Sequence, residues 1–187
     1  MVPRRAHLID ADPDKLDAAD VVRVWQSITQ RVVHYGFSIK LAQLEKPRTG
    51  TFNGIEILLS PGNNLELQCF LLLHLFGHSV QWVAPSLKTM IEPVERSPDL
   101  ESFLLALRAY ESQAAQFGLQ LLHESGVTDV DGWFCDFAAS DWRYVERFYR
   151  EGQIPPWHEC KVDDGPTVTP LEIPPLKHRI VDVRFAF

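Results

Sequence analysis

One stretch, Leu71-Leu72-Leu73-His74-Leu75-Phe76-Gly77-His78-Ser79-Val80-Gln81-Trp82, is apolar around almost a full helical turn instead of along one side. Together with Leu67 and Phe70 it predicts a central, buried helix over about residues 65–82. The patterning upstream is one-faced. Leu16, Val21, Val24, Trp25, Ile28, Val32 and Val33 recur at steps of three and four, predicting an amphipathic helix that stops near Gly36. Its start is read at Asp12-Pro13-Asp14, with Asp12 as N-cap. His34 closes the stripe, where the helix dipole favours a histidine. Residues 37–44 suit a short extended segment, and residues 45–50 carry turn chemistry. Ile55, Ile57 and Leu59 then alternate, predicting a strand over residues 53–60 with one buried face and a tight turn at Asn53-Gly54. Pro61-Gly62 ends it, and Asn63 or Asn64 can cap the central helix.

Downstream, Pro85 and Pro93 make the segment up to Pro98 a loop or lid. Ser97-Pro98-Asp99 opens a long helix over about residues 99–123, with Phe103, Leu104, Leu107, Ala114, Phe117, Leu121 and Leu122 as its apolar set and Gly126 as its stop. Ala114, Ala115 and Gly118 leave room for another helix to come close, and Gly77 does the same on the central helix. Two shorter helices are expected next, residues 132–138 and then 141–151 with Ser140 as cap and Gly152 as stop. Their many aromatics, Trp133 to Tyr149, are read as core packing. Pro155, Pro156, Pro166, Pro170, Pro174 and Pro175 exclude long regular structure after that, so the tail is expected to be an extended arm, with residues 180–185 able to add a terminal strand.

A chain of 187 residues that is 45% hydrophobic supports one substantial core and does not require a second. The 18 Lys plus Arg against 25 Asp plus Glu, a formal charge of −7, oppose phosphate backbones, so direct nucleic-acid binding is not expected. Arg4-Arg5 lacks an apolar segment behind it and no run approaches membrane-spanning length, which predicts a cytoplasmic protein with no secretory signal and no membrane partner. Cys69, Cys135 and Cys160 are odd in number and widely spaced, which suits reduced thiols.

The candidate chemistry lies in His74 and His78. Four residues apart on a helix, two imidazoles stand on one face about 5 to 6 Å apart at Cβ, close enough to grip one ion. With seven histidines in the chain such a pair also arises by chance, so context has to decide. A later helix carries Glu111-Ser112-Gln113-Ala114-Ala115-Gln116-Phe117-Gly118-Leu119-Gln120-Leu121-Leu122. A strand, a helix with His74-Leu75-Phe76-Gly77-His78, a loop and this helix follow the order of the ImmA/IrrE-type zinc metallopeptidase-like domains of the HExxH class, which the chain resembles from about residue 52 to 122. The resemblance implies an α+β fold, with zincin-like helices on a small mixed or antiparallel sheet. The chain is read as a single zincin-like domain at residues 1–154 with the Pro-rich C-terminal arm at residues 155–187 packing on it. The resemblance also implies His74, His78 and Glu111 as metal ligands, with zinc as the ion and a fourth position left to water. Before that resemblance, Glu111 reads most simply as an exposed helix glutamate.

The departure is Leu75, which stands where the family places the glutamate that handles the proton of zinc-bound water. A positioned base is worth about 10² to 10⁴ in rate. No catalytic residue is therefore assigned, and a non-proteolytic metal-binding or regulatory and interaction module is expected, inactive as a protease. Two alternatives stand beside it: an active zinc-dependent hydrolase with a nonstandard base, and a metal-free protein with core histidines. Glu66, Glu92, Glu95 and Glu124 have no evident placement as that base, and Tyr110 reads as a packed residue. His123 is too far along its helix to share the ion, His158-Glu159-Cys160 lies in the irregular tail, and His7 and His178 have no argued partner. By family analogy the partner is a protein, a transcriptional regulator first; the pattern says nothing of oligomeric state.

Overall fold

The computed structural model describes residues 15–45, 48–90, 94 and 98–181. The architecture is α+β, with helices packed on a small three-stranded mixed sheet. Helix α1 (Ala18–His34) buries Val21, Val24, Ile28 and Val32, the stripe that the three- and four-residue spacing predicts. It begins later than expected. Asp17 is the N-cap, accepting from the Asp20 amide, so Leu16 precedes the helix, and Asp12-Pro13-Asp14 lies outside the described residues.

Strands β1 (Ser38–Leu41), β2 (Gly50–Phe52) and β3 (Glu56–Leu59) form the sheet in the order β1-β3-β2. β3 is central, parallel to β1 with Ile39 opposite Ile57, and antiparallel to β2 with Phe52 opposite Ile57. The Asn53-Gly54 turn joins β2 to β3: Asn53 Oδ1 accepts from the Ile55 and Glu56 amides while Gly54 takes a positive φ of 87°. Ile57 and Leu59 are fully buried, but Ile55 sits in the turn and is exposed, so the alternation predicted from Ile55 begins one pair later.

Helix α2 (Leu65–Val83), capped by Asn64, is buried along nearly its whole length and packs against α1, the sheet and helix α3 (Leu100–Glu124). Each fully buried Leu or Phe contributes about 1.5 to 3 kcal/mol, and α2 supplies more of them than any other element described. A 3-10 turn (Pro85–Met90) follows α2, within the segment read as a loop or lid. Asp99 caps α3 through the Ser102 amide. Helix α4 (Asp131–Glu151) is one continuous helix where two were expected. Ser140 does not cap. Its hydroxyl bonds back to the Asp136 carbonyl inside the helix, an arrangement open to mid-helix serine, and Gly152 ends the helix at a φ of 68°.

After a single turn, α5 (Trp157–Cys160), the chain runs without regular structure across the domain. Leu171, Lys177 and Val181 donate backbone bonds to Gln116, Val83 and Asn53 respectively. Residues 182–185 of the suggested terminal strand lie outside the described residues. Among the described residues no helix is long and apolar enough to cross a membrane.

Candidate metal centre

Two close helix approaches build the site. A Cβ at Gly77 would lie 2.7 Å from the Ala114 carbonyl carbon, and one at Gly118 would lie 2.9 Å from the Leu73 carbonyl oxygen. Glycine on each helix therefore lets α2 and α3 touch backbone to backbone. That contact carries Glu111, one turn before Ala114, onto the histidine face of α2.

His74, His78 and Glu111 are 3%, 0% and 5% exposed. His78 Nε2 lies 3.0 Å from His74 Nε2 and 3.2 Å from Glu111 Oε2, and His74 Nε2 lies 3.5 Å from the same oxygen. The centre of that triangle is about 1.9 Å from each corner, close to the ~2.0 to 2.2 Å at which zinc accepts nitrogen and oxygen donors. The three residues thus lie close enough to hold a metal ion, and imidazole nitrogen with carboxylate oxygen is a donor set that zinc and other divalent transition ions accept. Glu111 is not the exposed glutamate that its residue type suggests.

The orientation of His78 follows from its neighbours. Gln81 Nε2 donates to the Tyr110 carbonyl at 2.7 Å and to Gln113 Oε1 at 3.1 Å, which turns Gln81 Oε1 toward His78 Nδ1 at 2.9 Å. Since that oxygen can only accept, Nδ1 carries the proton, and in a neutral ring Nε2 is left with the lone pair that a metal needs. The His78 ring stacks near Tyr110, 4.7 Å away, and near Phe52 of β2, 6.2 Å away and nearly parallel. Tyr110 is packed, as expected, and its hydroxyl accepts from Trp82 Nε1.

Leu75, the next residue after the first histidine, is fully buried toward the sheet: a Cβ at Gly50 would come 2.7 Å from its Cδ1 and 3.4 Å from Leu59 Cδ2. The other acids weighed as a substitute base are accounted for where they are described. Glu66 Oε1 accepts from the Lys15 and Leu16 amides and from Trp133 Nε1, tying the entrance of α1 to α2 and α4. Glu124 accepts from the Tyr35 hydroxyl and from Gln120. Burial, then Glu124, raise the Tyr35 pKa well above its usual value. Glu92 and Glu95 lie outside the described residues.

His123 pairs with Asp131, His178 lies against Phe37, and His34 is in the last turn of α1. His158 is exposed on α5, while Glu159 pairs with Arg147, so this tripeptide brings no ligand to the cluster. His7 lies outside the described residues.

Asp141 follows Ser140, the residue expected to cap a helix. The aspartate is 3% exposed, and its Oδ2 lies 3.8 Å from His74 Nε2. A cavity of about 400 Å³ opens beside the cluster, lined by His74, Glu111 and Asp141 on one side and by Arg108, Trp142 and arm residues such as Val168 on others. In comparisons with known proteins, no family model, curated protein or solved structure matches this chain.

Proposed function

We propose that this protein is a zinc-peptidase-like metal-binding module that does not cleave peptide bonds and acts in regulation or interaction. The observation that carries this reading is the buried meeting of two imidazole nitrogens and one carboxylate oxygen within 3.5 Å. His74, His78 and Glu111 hold the ion, and Gln81 orients His78 for it. When bound, a zinc-type ion supplies a Lewis acid at this point. The position from which a base would handle a water proton beside the ion is held by Leu75, which packs on the sheet and has no group that accepts a proton. By the family resemblance the partner is a protein, and a transcriptional regulator is the first to try.

Elemental analysis of protein purified without added metal tests the reading. About one zinc per chain is expected, lost in His78→Ala, with no chelator-sensitive cleavage of casein. A metal-free wild-type protein would sink the metal site. Chelator-sensitive cleavage abolished by His74→Ala would instead show an active hydrolase.

A further inference from the structure

We propose that Asp141 is a fourth protein ligand, closing the centre as a His74-His78-Glu111-Asp141 site; this rests on the metal reading above. In a tetrahedral zinc site with bonds of ~2.0 to 2.2 Å, neighbouring donor atoms stand about 3.3 to 3.6 Å apart. The three contacts of the cluster, 3.0, 3.2 and 3.5 Å, fall near that edge, and Asp141 Oδ2 stands 3.8 Å from His74 Nε2. Asp141 stands outside the group of three whose donor atoms lie within 4.8 Å of one another, so ligation requires its side chain to turn from His74 toward the ion. The approach is from the open side: His74, Glu111 and Asp141 line the cavity and His78 does not, so Asp141 occupies the side on which a fourth donor must enter.

Charge and anchoring support the same assignment. Glu111 and Asp141 are both at most 5% exposed, and buried carboxylates are costly unless cations or hydrogen bonds compensate them. A divalent ion would neutralise the two together. The arm is tied to α4 beside Asp141: Val162 donates to Ser140 Oγ at 2.9 Å and Gly165 to Asp136 Oδ1 at 2.7 Å. Four protein ligands make a closed zinc site, and a closed site has no coordinated water to activate. In such a centre a glutamate at position 75 would have no proton to take, and Leu75 ceases to be an anomaly.

The test uses the full chain loaded with cobalt(II), with zinc affinity measured by chelator competition. Asp141→Asn and Asp141→Ala are expected to weaken zinc binding more than tenfold and to change the visible cobalt bands, with little change in the unfolding midpoint of the metal-free protein. Added acetohydroxamate should shift the cobalt spectrum of Asp141→Ala and leave that of the wild type alone. Asp141→Cys should gain a near-ultraviolet thiolate-to-cobalt band that the wild type lacks, although Cys135 also lines the cavity. Unchanged affinity in Asp141→Asn, or a wild-type spectrum that responds to acetohydroxamate like the variant, overturns the fourth ligand while leaving the three-residue site. A wild-type chain that binds neither metal overturns both.

Discussion

Helix α2 meets α3 on one side and the sheet on the other, and the two seams follow different rules. Against α3 the contact is made through Gly77 and Gly118, and the groups that meet are polar, running from Glu111 through His78 and Gln81 to the Tyr110 carbonyl. Against the sheet and the end of α1 the contact is Leu75, Phe76 and Val83 on Gly50, Phe37 and Gly54. A hydrogen-bonded or metal-binding seam needs atoms placed within tenths of an ångström, whereas an apolar seam needs chiefly the right volume. The histidines and Leu75 therefore answer to separate demands, although Leu75 is the neighbour of His74. The residue at position 75 can therefore change without disturbing the polar seam.

The strongest way to break that separation is steric. Gly77→Val is expected to cost about 3 kcal/mol or more, because its side chain meets the Ala114 backbone, which cannot rotate away as a side chain could. It should abolish metal binding as well, since it moves Glu111 off α2. Gly132→Ala is the control: its added methyl meets nothing within 4 Å, so the unfolding free energy from denaturant titration should stay within about 0.5 kcal/mol of wild type.

The opposite seam is probed at Leu75. Leu75→Ala should cost about 2 to 4 kcal/mol in urea unfolding through the cavity it leaves beside Gly50 and Leu59. Zinc affinity should change less than about threefold, because no donor atom moves. Leu75→Glu places a carboxylate in the same apolar seam and should lose about as much stability, without gaining chelator-sensitive hydrolysis. Restored hydrolysis would show an open site short only of its base, and would join the two seams functionally.

A smaller effect is expected at Gln81, which touches the site without entering it. Gln81→Leu removes the acceptor that holds the proton on His78 Nδ1, so zinc affinity should fall about 10- to 100-fold in chelator competition. The fold should lose only about 1 kcal/mol with the bond to the Tyr110 carbonyl. Equal affinity in this variant would mean that stacking near Tyr110 and Phe52 alone orients the ring.

Part of the polar seam was legible in the sequence: His74 and His78 are one turn apart, and the small residues Gly77, Ala114 and Gly118 announce a close approach. Glu111 entered only through the family resemblance, because its own residue type reads as exposed although it is buried. Asp141 was missed because Ser-Asp after an alanine pair resembles a helix start. The signal was nevertheless present: Phe134, Phe137, Asp141, Tyr144 and Phe148 recur at three and four, which places the aspartate on the inward stripe of one continuous helix. The sheet was less legible for a different reason. β2 has only three residues, too short for alternation to show, and what fixes it is its pairing with β3 across the Asn53-Gly54 turn.

The smallest effect tests whether the apolar side of α2 stays shut in solution. Cys69 lies on α2 against α1, fully buried, with its thiol 3.7 Å from the Val21 carbonyl oxygen. Burial, then the nearby Glu66, push its pKa up to about 12. Because the folded value is raised, the unfolded chain releases this proton first. The contribution to stability is whole below the ordinary thiol pKa and is lost as pH rises through the interval up to about 12. At pH 8 only about one in 10⁴ of these thiols would be ionised in the fold. Alkylation of Cys69 by iodoacetamide, followed by mass spectrometry of the native protein, should thus be on the order of a thousandfold slower than that of a free cysteine. If Cys69 instead reacts as fast as a free thiol, the α1–α2 packing opens readily, and the apolar seam is then the mobile one.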